Sequence, residues 1–242
     1  MKLQNSGLLR AGSYALLAAN AAGLIAADQA SATTEQEPAP AWYNNVYLSL
    51  SAGGQSRGPA AESANTWTEW DPGISGNLAL GYHLCRYVRA EVEGSMFYNE
   101  AETLSAGPGL VAPAEGDAFL RAVMFSLYLQ YPIKDTKFTP YFGGGVGFYK
   151  SHLRDLSNTT VKPFGFVFDG NSEGERFAYQ LRAGLSYALT DHLDLWGGYR
   201  YWRGGELDFN FQDVPIGSGQ TFAASPKKAE IHGGEIGIRW TF

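Results

Sequence analysis

The chain closes on "EIGIRWTF", residues 235–242, and the reading of this short stretch decides the fold. Ile236, Ile238, Trp240 and Phe242 alternate with Glu235, Gly237, Arg239 and Thr241. That is a period of two, the mark of a strand with one apolar face and one polar face. Chain ends of soluble domains usually fray and carry small or polar residues. A terminal strand tipped with Phe242 therefore implies a partner strand that holds it and an apolar phase against its greasy side.

Worked outward from that end, the same alternation recurs seven times. Its apolar positions run Val46, Leu48, Leu50 and Ala52, then Leu78, Leu80, Tyr82 and Leu84, then Val88, Ala90, Val92, Met96 and Tyr98. A fourth run, 119–131, carries Val123, Phe125, Leu127, Leu129 and Tyr131, and a fifth carries Phe142, Val146 and Phe148. Phe177 through Leu189 and Leu193 through Tyr201 supply the sixth and seventh. Eight strands, an even number, suit an antiparallel closed sheet. The connections alternate in length: three are short, and four, at 54–74, 99–118, 150–175 and 203–230, are long and rich in Gly, Pro, Ser, Asn and Asp. The expected fold is all-β, an eight-stranded antiparallel up-and-down transmembrane barrel with four long outer loops and three short periplasmic turns.

A soluble lipocalin-type barrel would alternate as well, with its apolar face inside. Three features favour lipid outside. No charge interrupts the mid-strand apolar positions, where an Arg or Lys would cost about 2–4 kcal/mol. Aromatics gather toward strand ends, Tyr82, Tyr131, Tyr187 and Trp240 at one end and Tyr98, Phe148, Tyr199 and Tyr201 at the other, as two interfacial belts would. The polar face is sparse and balanced, Arg89, Arg182, Arg200 and Arg239 against Glu91, Glu93, Asp194 and Glu235. A face washed by solvent normally carries more Lys and Glu.

Composition agrees. The 242 residues carry a formal charge of −6, which offers no basic field for nucleic acid. Thirty glycines and 14% aromatics lean toward strands and turns. The negative mean hydropathy excludes a bundle of membrane helices and leaves a barrel open. Residues 1–32 read as a secretory signal peptide: Lys2 and Arg10, an apolar run from Ala11 to Ala27, and the small-x-small site Ala30-Ser31-Ala32, with Ala19-Asn20-Ala21 as a second cleavage option. Residues 33–42 read as a flexible leader and 43–242 as the barrel domain. Cys85, the sole cysteine, cannot form an intramolecular disulfide.

Three segments, "TPYFGGGVGFY" (139–149), "LWGGYRYW" (195–202) and "GEIGIRWTF" (234–242), give a family likeness. The sequence resembles the eight-stranded outer-membrane barrels of the outer-membrane-protein-A and opacity-protein type. The resemblance implies the bacterial outer membrane as location and its lipid and lipopolysaccharide as surroundings. It also implies a C-terminal insertion signal, Ile236, Ile238, Trp240 and Phe242, read by the outer-membrane assembly machinery. No residue follows Phe242, so the soluble peptidoglycan-binding domain of some relatives is not expected.

An eight-stranded barrel has an interior about wide enough for side chains to fill. The inward charges Arg89, Glu91, Glu93, Arg182, Asp194, Arg200, Glu235 and Arg239 are expected to form a paired network there, since a buried charge needs a partner. Gly143, Gly145 and Gly147 are expected to make room for bulky neighbours such as Trp196 or the arginines. Packing without conduction is the favoured reading, and a narrow porin-like channel for small solutes is the alternative. A lipid A-modifying enzyme is weighed on Ser151, His152 and His232, but spacing places no third residue to orient either histidine. "GGGVG" lacks the helix a nucleotide loop requires. The loop aromatics, Trp67, Trp70, Phe164, Phe166, Phe168, Phe209 and Phe211 with Leu207, pack a cap or bind an extracellular ligand; strand seven is expected to resume above the membrane after Gly204-Gly205. Arg121, Lys150 and Arg203, near the loop ends of their strands, are possible contacts for lipopolysaccharide phosphates. The expectation is a monomer with no cofactor, no metal and no catalytic residues, serving envelope integrity or surface interaction.

Overall fold

The computed structural model describes residues 45–58, 60–63, 66–106, 111–160, 162–225 and 228–242. The signal and leader readings, and Tyr43 with them, lie outside the described residues. Eight strands form the wall: β1 (Val46–Arg57), β2 (Gly73–Cys85), β3 (Val88–Ala106), β4 (Val111–Gln130), β5 (Phe138–Asn158), β6 (Arg176–Ala188), β7 (Leu193–Gly204) and β8 (Ala229–Thr241). Each pairs antiparallel with its chain neighbour, and β8 pairs with β1 through Leu48↔Trp240 and Leu50↔Ile238. The amide of Phe242 adds a bond of 3.0 Å to the carbonyl of Val46. Pairing of the terminal strand with the first removes both sheet edges, which hydrocarbon could not solvate.

The stagger of the ring follows from its register. One hydrogen-bonded row runs from Tyr47 through Gly81, Glu91, Ser126, Gly145, Gln180, Trp202 and Ile231, then re-enters β1 at Arg57. Arg57 lies ten residues beyond the starting point. Ten residues of shear over eight strands correspond to a strand tilt of about 40°. Every member of that row faces inward, so residues far apart in sequence meet in the lumen.

The outward positions of the eight strands supply most of the exposed large apolar residues among those described. On β4 alone Val123, Phe125, Leu127 and Leu129 are 62%, 52%, 48% and 63% exposed, while the interleaved Met124, Ser126 and Tyr128 are buried. A monomer in water rarely shows so large a contiguous apolar surface. Hydrocarbon is the phase that makes it favourable.

The wall is taller than the expected strands. β3, β4 and β5 have 19, 20 and 21 residues. At about 2.5 Å of height per tilted residue such strands stand roughly 50 Å, twice the apolar band of about 25 Å. Much of 99–118 and the start of 150–175, expected as loop, is therefore strand. The reason is an inversion of polarity above the membrane. Ascending β4, the inward side changes from Tyr128 and Ser126 to Met124, Ala122, Leu120 and Ala118, while Arg121 and Asp117 take the outward side. Bulges at Gly116 (φ +123°) and Asp155 (φ +49°) interrupt the β4–β5 ladder near its top.

Short strands complete the outer end. Ala60–Ser63 pairs with Thr66–Trp70, which pairs onward to β3. Phe168–Glu173 joins β5 to Asp208–Gln212, which in turn pairs with Thr221–Ala224. The strand at Asp208–Gln212 follows Gly204 as expected, but it pairs within the cap instead of prolonging β7.

Candidate functional site

Three places carry polar chemistry: the lumen, the outer rim and the cap. In the lumen, alternation on β3 turns Arg89, Glu91, Glu93 and Ser95 inward, and Arg182, Arg200, Glu235 and Arg239 reach the same space from β6, β7 and β8. Glu93 is the hub. Its Oε2 accepts from Nη1 of Arg182, its Oε1 accepts from Nη2 of Arg200 at 3.0 Å, and Ser95 donates to it at 2.5 Å. Arg182 also holds Glu235, Nη2 to Oε2 at 3.2 Å, and Nη1 of Arg200 donates to Asn77 at 2.6 Å.

Below the hub, toward the short turns, Arg89 donates to Glu91 at 3.2 Å and lies over the rings of Tyr128 and Tyr141, 4.4 and 4.8 Å from their centroids. Tyr47 donates to Glu91 at 2.7 Å. At the lowest level Arg239 pairs with Asp194 at 3.3 Å; Asp194 is partly exposed, at the mouth of the barrel. The eight charges named from sequence thus fall into three tiers. Tyr128, Tyr141 and Trp196 fill the space between them.

Above the hub the lumen turns apolar. Phe97, Met124, Tyr149, Trp202 and Ile231 are buried in one cluster that continues into the cap through Leu207, Phe209 and Phe211. Tyr149 stands at 89° to Trp202 with centroids 4.9 Å apart. The nearest neighbours that the β5 glycines accommodate are on β4. A Cβ on Gly143, Gly145 or Gly147 would strike Tyr128, Ser126 or Met124 and the β4 backbone. These glycines let β4 side chains, Tyr128 the bulkiest, lie across β5.

At the rim, Arg121 and Lys150 stand directly opposite each other across β4 and β5, both exposed. They overhang a groove of about 470 Å³ whose floor includes Val123 and Phe148. Lys150 also lies 3.4 Å from Glu175. Arg203 is elsewhere, on β7 opposite Tyr179 and Glu230. Ser151 and His152, neighbours in β5, point to opposite sides of the sheet. His232 does have orienting groups that spacing did not reveal: Tyr199 lies 2.6 Å from Nδ1 and Glu230 lies 3.6 Å from Nε2. Tyr199 thus takes up Nδ1, and Ser56 is the cross-strand neighbour of His232 on β1.

In the cap, Trp70 lies under Arg57, whose guanidinium carbon is 4.2 Å from the indole centroid. Phe168 packs against Phe211 at 5.2 Å. Phe164 and Ile216 remain 72% and 65% exposed at the joined tips of the third and fourth loops, where the Ile216 amide donates to the Gly165 carbonyl at 2.8 Å. Among the described residues no group of three or more His, Cys, Asp or Glu side chains could hold a metal ion.

An eight-stranded ring with hydrocarbon-facing side chains outside and paired charges inside defines an integral outer-membrane barrel. The chain belongs to the family of outer membrane protein β-barrel domains, whose model matches residues 16–222. A curated relative, the outer membrane protein PagN of Salmonella typhimurium, is 28% identical over 107 residues, which is 44% of either chain. The match thus spans less than half the length of that relative. Among solved structures, the barrel of the outer membrane protein OprG from Pseudomonas aeruginosa superposes with a TM-score of 0.57 at 14% identity, over 82% of this chain and 97% of its own. Neisserial surface protein A gives 0.54 at 19% identity, over 81% and 97%. These two likenesses concern the fold. The protein is accordingly a bacterial outer-membrane protein.

Proposed function

We propose that this barrel is a non-conducting surface protein: the wall anchors it, the lumen is a packed core, and the cap presents a binding face to the exterior. The observation that carries this reading is that side chains occupy the interior at successive levels. Three tiers of ion pairs are followed upward by an apolar cluster. The alternative, a narrow channel, would need the Glu93 hub to open, leaving Arg182 and Arg200 dehydrated without a counter-charge, which is costly. Single-channel recording on the barrel in planar bilayers tests it. Silence at all voltages is expected, and steady unitary currents would overturn the reading.

We assign the binding face to the tips of the third and fourth loops, where Phe164 and Ile216 are exposed while Trp70, Phe209 and Phe211 are buried in the cap. Arg121 and Lys150 are assigned to lipopolysaccharide phosphate, because two adjacent cations above an apolar groove match a phosphate above acyl chains. Arg203 stands apart from that pair. Ile236, Ile238, Trp240 and Phe242 are assigned to recognition by the assembly machinery, on the strength of the resemblance and their place on the outward face of the closing strand. Catalysis is not part of the proposal: Ser151 and His152 point to opposite sides of the sheet, and Nδ1 of His232 is taken up by Tyr199.

A further inference from the structure

Arg57 is buried differently from the luminal arginines. Arg89, Arg182, Arg200 and Arg239 each lie within reach of a carboxylate. Arg57 is 7% exposed, and none of the described carboxylates pairs with it. It sits at the top of β1, over the Trp70 ring, and lines a small cavity where β1, the strand Thr66–Trp70, β5, the fourth loop and β8 converge. About 20 Å³ of that cavity is open to the centre of a water-sized sphere, enough for one small occupant.

The walls of this cavity are one-sided. Nε and Nη1 of Arg57, the hydroxyls of Thr68 and Ser151 and the indole N–H of Trp70 are all buried with no hydrogen-bond partner. Arg57 and Trp70 offer only N–H donors, and each hydroxyl has a proton to give. Lys228 supplies a second positive charge at the edge, where its ammonium lies 3.5 Å from Glu230. Among the described residues no acidic side chain lines the cavity, and the remaining described walls, such as Leu153 and Phe209, are apolar. A single water accepts two hydrogen bonds and brings no charge, so it would satisfy neither the number of donors nor the buried guanidinium.

We propose that this cavity binds a monatomic anion, chloride under ordinary conditions. A halide accepts from several donors at once, neutralises Arg57, and fits a space that sulfate or gluconate does not. Held there, it ties the first loop, through Thr68 and Trp70, to β5 and β1, and so fastens one side of the cap. This goes beyond the proposed surface role and does not depend on it.

The test uses the full barrel refolded in detergent micelles. Its melting temperature is followed as potassium gluconate is exchanged for potassium chloride at constant ionic strength. A saturable rise with chloride is expected, reproduced by bromide and absent for sulfate. Arg57→Leu should abolish the rise. Thr68→Val, which preserves shape, should move the half-saturation point several-fold upward and decides the matter should Arg57→Leu fail to fold. Crystals soaked in bromide should give an anomalous peak within hydrogen-bond reach of Arg57 and Trp70. Equal melting in chloride and gluconate, a rise that survives in the variants, or bromide crystals without that peak would each overturn the proposal, and the cavity would then be a water site.

Discussion

Glu93 shows what alternation reveals and what it hides. Its inward side was legible from period two alone, as were the inward sides of its neighbours Arg89 and Glu91. Its partners were not legible: Arg182 and Arg200 lie 89 and 107 residues away, and only the ten-residue shear of the closed ring brings them together. Glu93→Gln removes the shared counter-charge of two buried guanidiniums, so it should destabilise the folded barrel by about 3–5 kcal/mol. Urea unfolding from lipid vesicles measures this, and a loss below about 1 kcal/mol would show that the hub is wet. A second residue-scale prediction concerns Asp213 in the fourth loop. Hydrogen bonds from the backbone amides of Gly217 and Gly219 hold its carboxyl below the ordinary value of 3.8. A depressed folded pKa stabilises above the unfolded value and is lost as pH falls through the folded one. The Gly219 amide should therefore exchange slowly at neutral pH and lose protection only below about pH 4. Asp213→Asn should make the protection factor of that amide, measured against its intrinsic exchange rate, independent of pH.

The strands set the next scale. Their number, order and outward faces were readable because each wall segment carries one apolar and one polar parity. Their length was not. Between Ala118 and Phe125 both parities are largely apolar, because the lipid-facing stripe hands over to a core-facing stripe on the other side. Such a stretch has no period to read, so the upper wall was assigned to loops. The glycines of β5 were legible as inward but not as seats for the side chains of β4. A Cβ at Gly145 would come within 2.1 Å of the Ser126 hydroxyl and 2.7 Å of the Phe125 carbonyl. Gly145→Val should consequently prevent folding into vesicles, whereas Gly234→Val, with nothing within 4 Å of its Cβ, should be tolerated. Heat-modifiable migration on gels distinguishes the two. Phe125→Lys, in the middle of the lipid face, should cost about 2–4 kcal/mol. The same lysine at Asp117, above the membrane, should cost far less.

At the scale of the whole molecule, one amphipathic rule is applied twice with opposite sign: apolar outward where lipid surrounds the wall, apolar inward where water does. The switch marks the outer interface near Arg121 on β4 and Lys150 on β5, and the cap above it is folded as a small soluble core. The decisive quantity is therefore what each face touches. Single nitroxide labels from Ala122 to Leu129, in a Cys85→Ser background and in lipid vesicles, report it by spin-label accessibility to oxygen and to a water-soluble nickel complex. The expected result is high oxygen exposure at Val123, Phe125, Leu127 and Leu129 and protection from both reagents at Ala122, Met124, Ser126 and Tyr128. Nickel-complex access at the odd positions, with oxygen-rich even ones, would contradict the membrane-spanning assignment.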